Sequence, residues 1–175
     1  MSELRPRLPG DDLTPGVSGD GPFDKAIAKF AASVVRARGV DPVTTELVRL
    51  RCAQIHDCRL CGSVRNQDAL AEGFNEVLQE KIARYERSDL EPKQKAALRL
   101  CDAIILTPSM ADAALKDELQ AHFSKAQIAE LMLDVMKWSQ QKALVALRLE
   151  APPWDETIEL IFDENGEPGF GEAAY

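Results

Sequence analysis

Cys58 and Cys61 stand three positions apart in the run Glu46-Leu-Val-Arg-Leu-Arg-Cys52-Ala-Gln-Ile-His56-Asp-Cys58-Arg-Leu-Cys61-Gly-Ser-Val-Arg65. On a helix, positions i and i+3 share a face, so the two sulfurs can come within disulfide reach. If His56-Asp57 is a turn, the pair opens a helix. Free amides and the helix dipole there stabilise a thiolate, the reactive form of cysteine. Arg59 and Arg65 add positive charge within about two turns. The chemistry expected is dithiol–disulfide exchange by thiols of depressed pKa. Zinc would need four Cys or His ligands, and Cys52, Cys101, His56 and His122 supply no second paired knuckle, so no metal is expected. Inert packing of two small residues is the other reading. A thioredoxin-type pair would follow a strand in a βαβ unit, which the sequence does not offer. Cys52 and Cys101 lie in apolar helical stretches and read as buried thiols. His122, before Phe123 at a helix end, reads as structural.

Helices must position these groups. Ile27, Phe30, Ala31, Val34 and Val35 recur at helical spacing ahead of Gly39. Asp41 caps a second helix with Pro42 at its first position, where a missing N–H costs nothing. Val43, Leu47 and Leu50 share one side of it. Leu60, Val64 and Leu70 predict a third helix closed by Gly73, and Val77, Leu78 and Ile82 a fourth. Pro92 opens a fifth, with Ala96, Ala97, Leu100 and Ile104 inward and Pro108 at its end. Ala114, Leu115 and Leu119 place a shorter helix over 112–122. Ser124-Lys125-Ala126-Gln127 has the pattern of a capping box. Ile128, Leu131, Met132, Val135, Leu144 and Leu147 then define a long final helix. Met132, Met136 and Trp138 read as core, while Ser139-Gln140-Gln141-Lys142 either faces water or lines a site. With no sustained alternation and no internal repeat in the body, the expected fold class is all-α, with six to seven helices.

The chain has 175 residues, is 45% hydrophobic and 29% charged, and carries a formal charge of −8. That is one globular domain's worth, large enough to bury its own core. The charge is unevenly spread. Residues 151–175 hold seven acids and no Lys or Arg, and residues 1–22 hold four acids against two Arg, which leaves 23–150 at +1. Four prolines and four glycines make 1–22 a mobile arm by expectation. The acidic tail, 151–175, begins with Pro152-Pro153-Trp154. It is either solvated or packs through Trp154, Ile158, Leu160, Ile161 and Phe162 on the body or a neighbouring subunit. Without a dense basic patch, nucleic acid is not an expected partner. No apolar run reaches the roughly 18–20 residues of a membrane span, and the start lacks a signal-peptide core, so no membrane association and a cytoplasmic location are expected. Four cysteines there are not a secreted disulfide framework.

The acid at Glu46, twelve positions ahead of Cys58-x-x-Cys61 in an all-α domain, resembles the alkylhydroperoxidase D-like (AhpD-like) branch of the carboxymuconolactone decarboxylase family. The resemblance runs from about Phe23 to Pro152 and takes in the helix before the cysteines, the Leu98–Ile105 stretch and the closing Ala146-Leu147-Arg148-Leu149. It implies a pair that cycles between dithiol and disulfide in hydroperoxide reduction. Cys61 would form the sulfenate, Cys58 would be proton donor and resolving thiol, and Glu46 would feed a proton relay. It implies no bound cofactor, an external dihydrolipoyl or other dithiol reductant on a carrier protein, and a homo-oligomer (dimer, trimer or hexamer). The helix dipole alone would favour Cys58 as the thiolate. This chain departs from the family pattern at Arg65 and Leu60, where that pattern has His. Arginine cannot shuttle protons, but it can stabilise a thiolate or hold a substrate carboxylate. His56 is the imidazole near enough to substitute, or else a histidine bonded in a helix-end turn. Two other readings stay open: a lactone decarboxylase-like lyase using Arg65 as carboxylate holder, and a redox-responsive domain without turnover.

Overall fold

The computed structural model describes residues 21–148, 152 and 154–175. The arm expected over 1–22 lies outside these up to residue 20, and Pro22 already begins a helix. The elements run α1 (Pro22–Val35), α2 (Pro42–Ile55), α3 (Arg59–Gly62), β1 (Val64–Asn66), α4 (Gln67–Ala71) and α5 (Glu76–Ile82). They continue with α6 (Pro92–Ile105), α7 (Ala113–His122), α8 (Lys125–Arg148), β2 (Ile158–Phe162) and β3 (Pro168–Ala173). The all-α reading of the body holds, with eight α-helices and one small sheet among the described residues. No described helix is long and apolar enough to cross a membrane.

Local chemistry sets the helix starts. Asp41 Oδ1 accepts from Thr44 N at 2.9 Å at the head of α2, and Ser124 and Gln127 close the expected reciprocal box at the head of α8. α2 is the central element. Thr44, Glu46, Leu47, Val48, Arg49, Leu50, Cys52 and Ala53 are all buried, so it is enclosed on nearly every side. Val48 and Cys52 join the main core with Ala97, Leu100 and Cys101 of α6 and Leu131, Val135 and Trp138 of α8. Leu47 and Leu50 pack on the other side against Ala69, Phe74, Ile82 and Leu98.

Two expectations are corrected. The single third helix expected across Leu60, Val64 and Leu70 is α3, β1 and α4 in turn. Val64, Arg65 and Asn66 pair in parallel with Ile158, Glu159 and Leu160, and β2 pairs antiparallel with β3. The tail after residue 157 thus folds into a hairpin of β2 and β3 that lies beside the segment following Cys61. Its turn seats on α1, where Gly166 takes φ +82° and a Cβ would come within 2.7 Å of Ala32 Cα. The second correction concerns the methionines. Trp138 is core, but Met132 and Met136 are exposed, because the inward stripe of α8 runs through Leu131, Asp134, Val135, Trp138 and Lys142.

Candidate functional site

α2 ends in a turn that delivers Cys58. The Asp57 amide donates to Gln54 O at 3.2 Å and the Cys58 amide to Ala53 O at 2.9 Å, with Asp57 in the left-handed region at φ 50°. This is a Schellman termination with Asp where Gly is common. The turn expected at His56-Asp57 is therefore present, and Cys58 becomes the N-cap of α3. Cys58 and Cys61 are joined as a disulfide with Cα atoms 5.3 Å apart, inside the span such a bond requires. Cys61 N donates to Cys58 Sγ at 3.4 Å. Because α3 has four residues, its dipole is small, and this single amide is the local polarisation that the sulfur receives. Both cysteines are buried, at 2% and 7% exposure, beside Ala53 of α2 and Ala146 of α8. A hollow of about 190 Å³, lined by Leu50, Gln54, Asp57, Cys58, Gly62 and Gln79 among others, opens onto Cys58; Cys61 is not among its walls.

Glu46 lies one helical turn before Arg49, and the two form a buried fork. Arg49 Nε donates to Glu46 Oε2 at 2.6 Å and Nη2 to Oε1 at 2.7 Å. Arg49 also donates to Cys61 O at 2.9 Å and Val64 O at 2.5 Å, and Asn66 N donates to Glu46 Oε1 at 3.1 Å. The carboxylate thus holds the guanidinium that frames both ends of the Cys61–Val64 turn. To pass a proton, Glu46 would have to release that fork.

Arg65 is buried and fully engaged. It donates to Gly62 O at 2.6 Å, Val64 O at 2.8 Å, Tyr175 Oη at 3.2 Å and Gln79 Oε1. It therefore ties the C-terminal hairpin to α3 and to a wall of the hollow. Trp154 Nε1 adds a bond to Ser63 Oγ at 2.9 Å. His56 caps α2 and shares a 2.7 Å hydrogen bond with Ser139 Oγ of α8. Burial, with Lys142 nearby, holds its imidazole below the ordinary value, so it is neutral at pH 7. Arg59 lines the hollow beside Cys58.

Residues absent from the sequence-based site complete it. Arg49 stands three positions after Glu46, a spacing that signals an ion pair. Within the run 139–142, Ser139 meets His56, and Lys142 is buried with its ammonium 4.3 Å from the Trp138 ring. Burial, with Arg49 nearby, pushes Lys142 down to about 7. Asp134 is also buried, and its Oδ2 and Trp138 Nε1 have no protein partner. Both residues line a cavity of about 40 Å³ shared with Glu46, Arg49 and Asn66, a polar space of the size that holds water. Among the described residues no group of three or more His, Cys, Asp or Glu is arranged to hold a metal ion.

Asp134 makes stability depend on pH. Burial, reinforced by Glu130, raises its carboxyl from 3.8 to about 7. Between these values the unfolded chain loses the proton and the folded chain keeps it, so stability falls as pH rises through the window and stays reduced above it. Asp134→Asn is expected to stabilise the protein at about pH 8 by on the order of 3 kcal/mol, and to change little at about pH 4. Denaturant midpoints at the two pH values check this. An equal effect at both refutes it.

No protein-family model matches the chain. Two uncharacterized proteins of Mycobacterium tuberculosis, from different strains, are each 42% identical to it over 124 residues, 70% of this chain and 44% of theirs. The chain thus spans less than half the length of these relatives. The uncharacterized protein YnjA of Escherichia coli is 28% identical over 107 residues, 60% of this chain and 59% of its own. A crystal structure from Agrobacterium tumefaciens superposes with a TM-score of 0.63 at 20% identity, covering 76% of this chain and 92% of that one. That protein is described as of unknown function and assigned provisionally as the antioxidant defence protein AhpD. The chain has an AhpD-like fold. Within that fold, α2 supplies Glu46, Arg49 and the turn that presents Cys58. α8 supplies the wall behind them, and the C-terminal hairpin straps the segment after Cys61.

Proposed function

We propose that the protein is a thiol oxidoreductase that reduces hydroperoxides through a Cys58/Cys61 dithiol–disulfide cycle. The observation that carries this reading is the pair itself: a disulfide at the head of α3, with the Cys58 sulfur hydrogen-bonded by the Cys61 amide and opening onto a hollow. In the dithiol state, Cys61 attacks the terminal oxygen of a hydroperoxide and becomes a sulfenic acid. Cys58 then displaces water to restore the disulfide. An external dithiol, such as a dihydrolipoyl group on a carrier protein, reduces the pair again. Neutral His56, at the end of α2, is the nearby base that can take up a proton. Glu46 acts through Arg49, fixing the Cys61 carbonyl and so the turn between the sulfurs. Arg65, buried and bonded to Gly62, Val64, Tyr175 and Gln79, holds the strap, which weakens the argument for a carboxylate-binding lyase.

With dihydrolipoamide as reductant, the reduced full chain is expected to consume hydrogen peroxide or an organic hydroperoxide over many turnovers. The Cys58→Ser/Cys61→Ser double variant is expected to fall to background. Turnover by that variant at the rate of the unmodified protein would overturn the reading. A single oxidation without repeated turnover would replace it by a redox-responsive domain.

A further inference from the structure

A second pair of thiols lies in the main core. Cys52 of α2 and Cys101 of α6 are both fully buried, with their sulfurs 3.6 Å apart. Closing that contact to a disulfide bond needs about 1.5 Å of approach, shared between two packed helices. Buried cysteines are ordinarily small hydrophobes. What sets this pair apart is its company. Lys142, at 1% exposure, places its charge in the field of both sulfurs, with Arg49 behind it. A buried ammonium is costly unless an anion balances it. The Trp138 ring at 4.3 Å supplies part of that balance, and the two sulfurs and Glu46 are the further groups that favour the charged lysine. The thiol contact polarises the pair. The contact with Cys101, with Lys142 adding to it, draws Cys52 below the ordinary thiol value, while the same contact and burial push Cys101 up.

We infer that Cys52 and Cys101 are a second redox-active dithiol, with Lys142 as its charge partner, which a hydroperoxide converts into a disulfide joining α2 to α6. The Cys52 thiolate attacks the terminal peroxide oxygen. An S–O bond forms, the O–O bond breaks, and the leaving alkoxide departs as alcohol with a proton from the Lys142 ammonium. The Cys101 sulfur then attacks the Cys52 sulfenic acid. The S–S bond forms, the S–O bond breaks, and the hydroxyl leaves as water with the Cys101 proton. The dithiol loses two electrons and the hydroperoxide gains two. Closure has a direct route to the first pair, because α2 carries Arg49, which holds the Cys61 carbonyl, and ends in the turn that presents Cys58.

The inference does not depend on the Cys58/Cys61 cycle, and the experiment separates them. The full-length Cys58→Ser/Cys61→Ser variant, reduced and then exposed to hydrogen peroxide, is quenched in acid, unfolded, alkylated and peptide-mapped. The expected result is a Cys52–Cys101 cross-link lighter by two hydrogens, loss of both alkylatable thiols, and recovery of both on treatment with dithiothreitol. Because the closed loop restricts the unfolded chain, the unfolding midpoint should rise on oxidation. Lys142→Met in the same background is expected to slow cross-linking about tenfold, through a smaller thiolate fraction. Thiols that stay alkylatable, or that take up oxygen singly without a cross-link, overturn the inference. An unchanged rate in Lys142→Met overturns the role of the lysine. Should the double variant fail to fold, the same mapping on the unmodified chain decides: a 52–101 link beside the 58–61 link is expected, and its absence overturns the proposal.

Discussion

Glu46→Gln is expected to lower the stability of the protein by about 3–5 kcal/mol, among the largest effects of any single substitution. The cost does not come from a weak surface contact. Glu46 and Arg49 are each about 1% exposed, and their fork is the charge balance for a guanidinium enclosed by α2, β1 and the Cys61 turn. Gln preserves shape and one acceptor but no charge, so Arg49 would be left as an uncompensated buried cation. The same change should loosen the carbonyls of Cys61 and Val64, which Arg49 holds. Denaturant unfolding of the reduced protein measures the first effect, and amide hydrogen exchange across 61–66 the second. Replacing both partners, as Glu46→Leu/Arg49→Met, should recover part of the stability because no charge is stranded. It should not recover the protection of 61–66, because the clamp is gone. A loss below about 1 kcal/mol in Glu46→Gln would show that the fork is not the anchor its geometry indicates.

The helices were legible in the sequence where a side chain itself makes the end. Asp41 and Ser124 cap α2 and α8 as read, and the break after Ile55 falls at His56-Asp57. The segment 64–66 was not legible, because its extended form is set by pairing with Ile158–Leu160 from the far end of the chain and not by local preference. Apolar spacing around Leu60, Val64 and Leu70 fits a helix equally well, and nothing local contradicts it. The site divides along the same line. Cys58, Cys61 and the turn before them follow from spacing. The i, i+3 spacing of Glu46 and Arg49 carries their pairing, but the partners of Arg65 do not follow from spacing, because Tyr175 and Gln79 come from distant parts of the chain. Arg65 reads as a lost histidine until Tyr175 and Gln79 are seen closing on it. Lys142 reads as either facing water or lining a site until the stripe through Asp134 and Trp138 places it inside.

In the proposed cycle, the division of labour between the two cysteines follows from which sulfur each reagent can reach. In the disulfide, the hollow meets Cys58 and not Cys61. In the proposed cycle an incoming reductant thiolate would therefore attack Cys58 and expel Cys61 as the leaving thiolate. The sulfur set free is the one the family resemblance makes the peroxide nucleophile, so access and resemblance agree once the two half-reactions are separated. Under the proposal, the Cys61 amide that donates to Cys58 Sγ in the disulfide would steady the resolving sulfur if it persists in the dithiol. Cys58→Ser and Cys61→Ser are each expected to lower hydroperoxide turnover by roughly three orders of magnitude, but to stop at different points. Exposed to one equivalent of peroxide, Cys58→Ser should accumulate a sulfenic acid at Cys61 that a dimedone-type reagent captures. Cys61→Ser should show no such adduct at Cys58, and should instead form a stable mixed disulfide there with an oxidised small-molecule dithiol. Mass mapping of both variants reads the outcome. A sulfenic acid trapped at Cys58 in Cys61→Ser, with Cys61 inert in Cys58→Ser, would reverse the assignment, and the amide-bonded sulfur would then be the one that meets the peroxide.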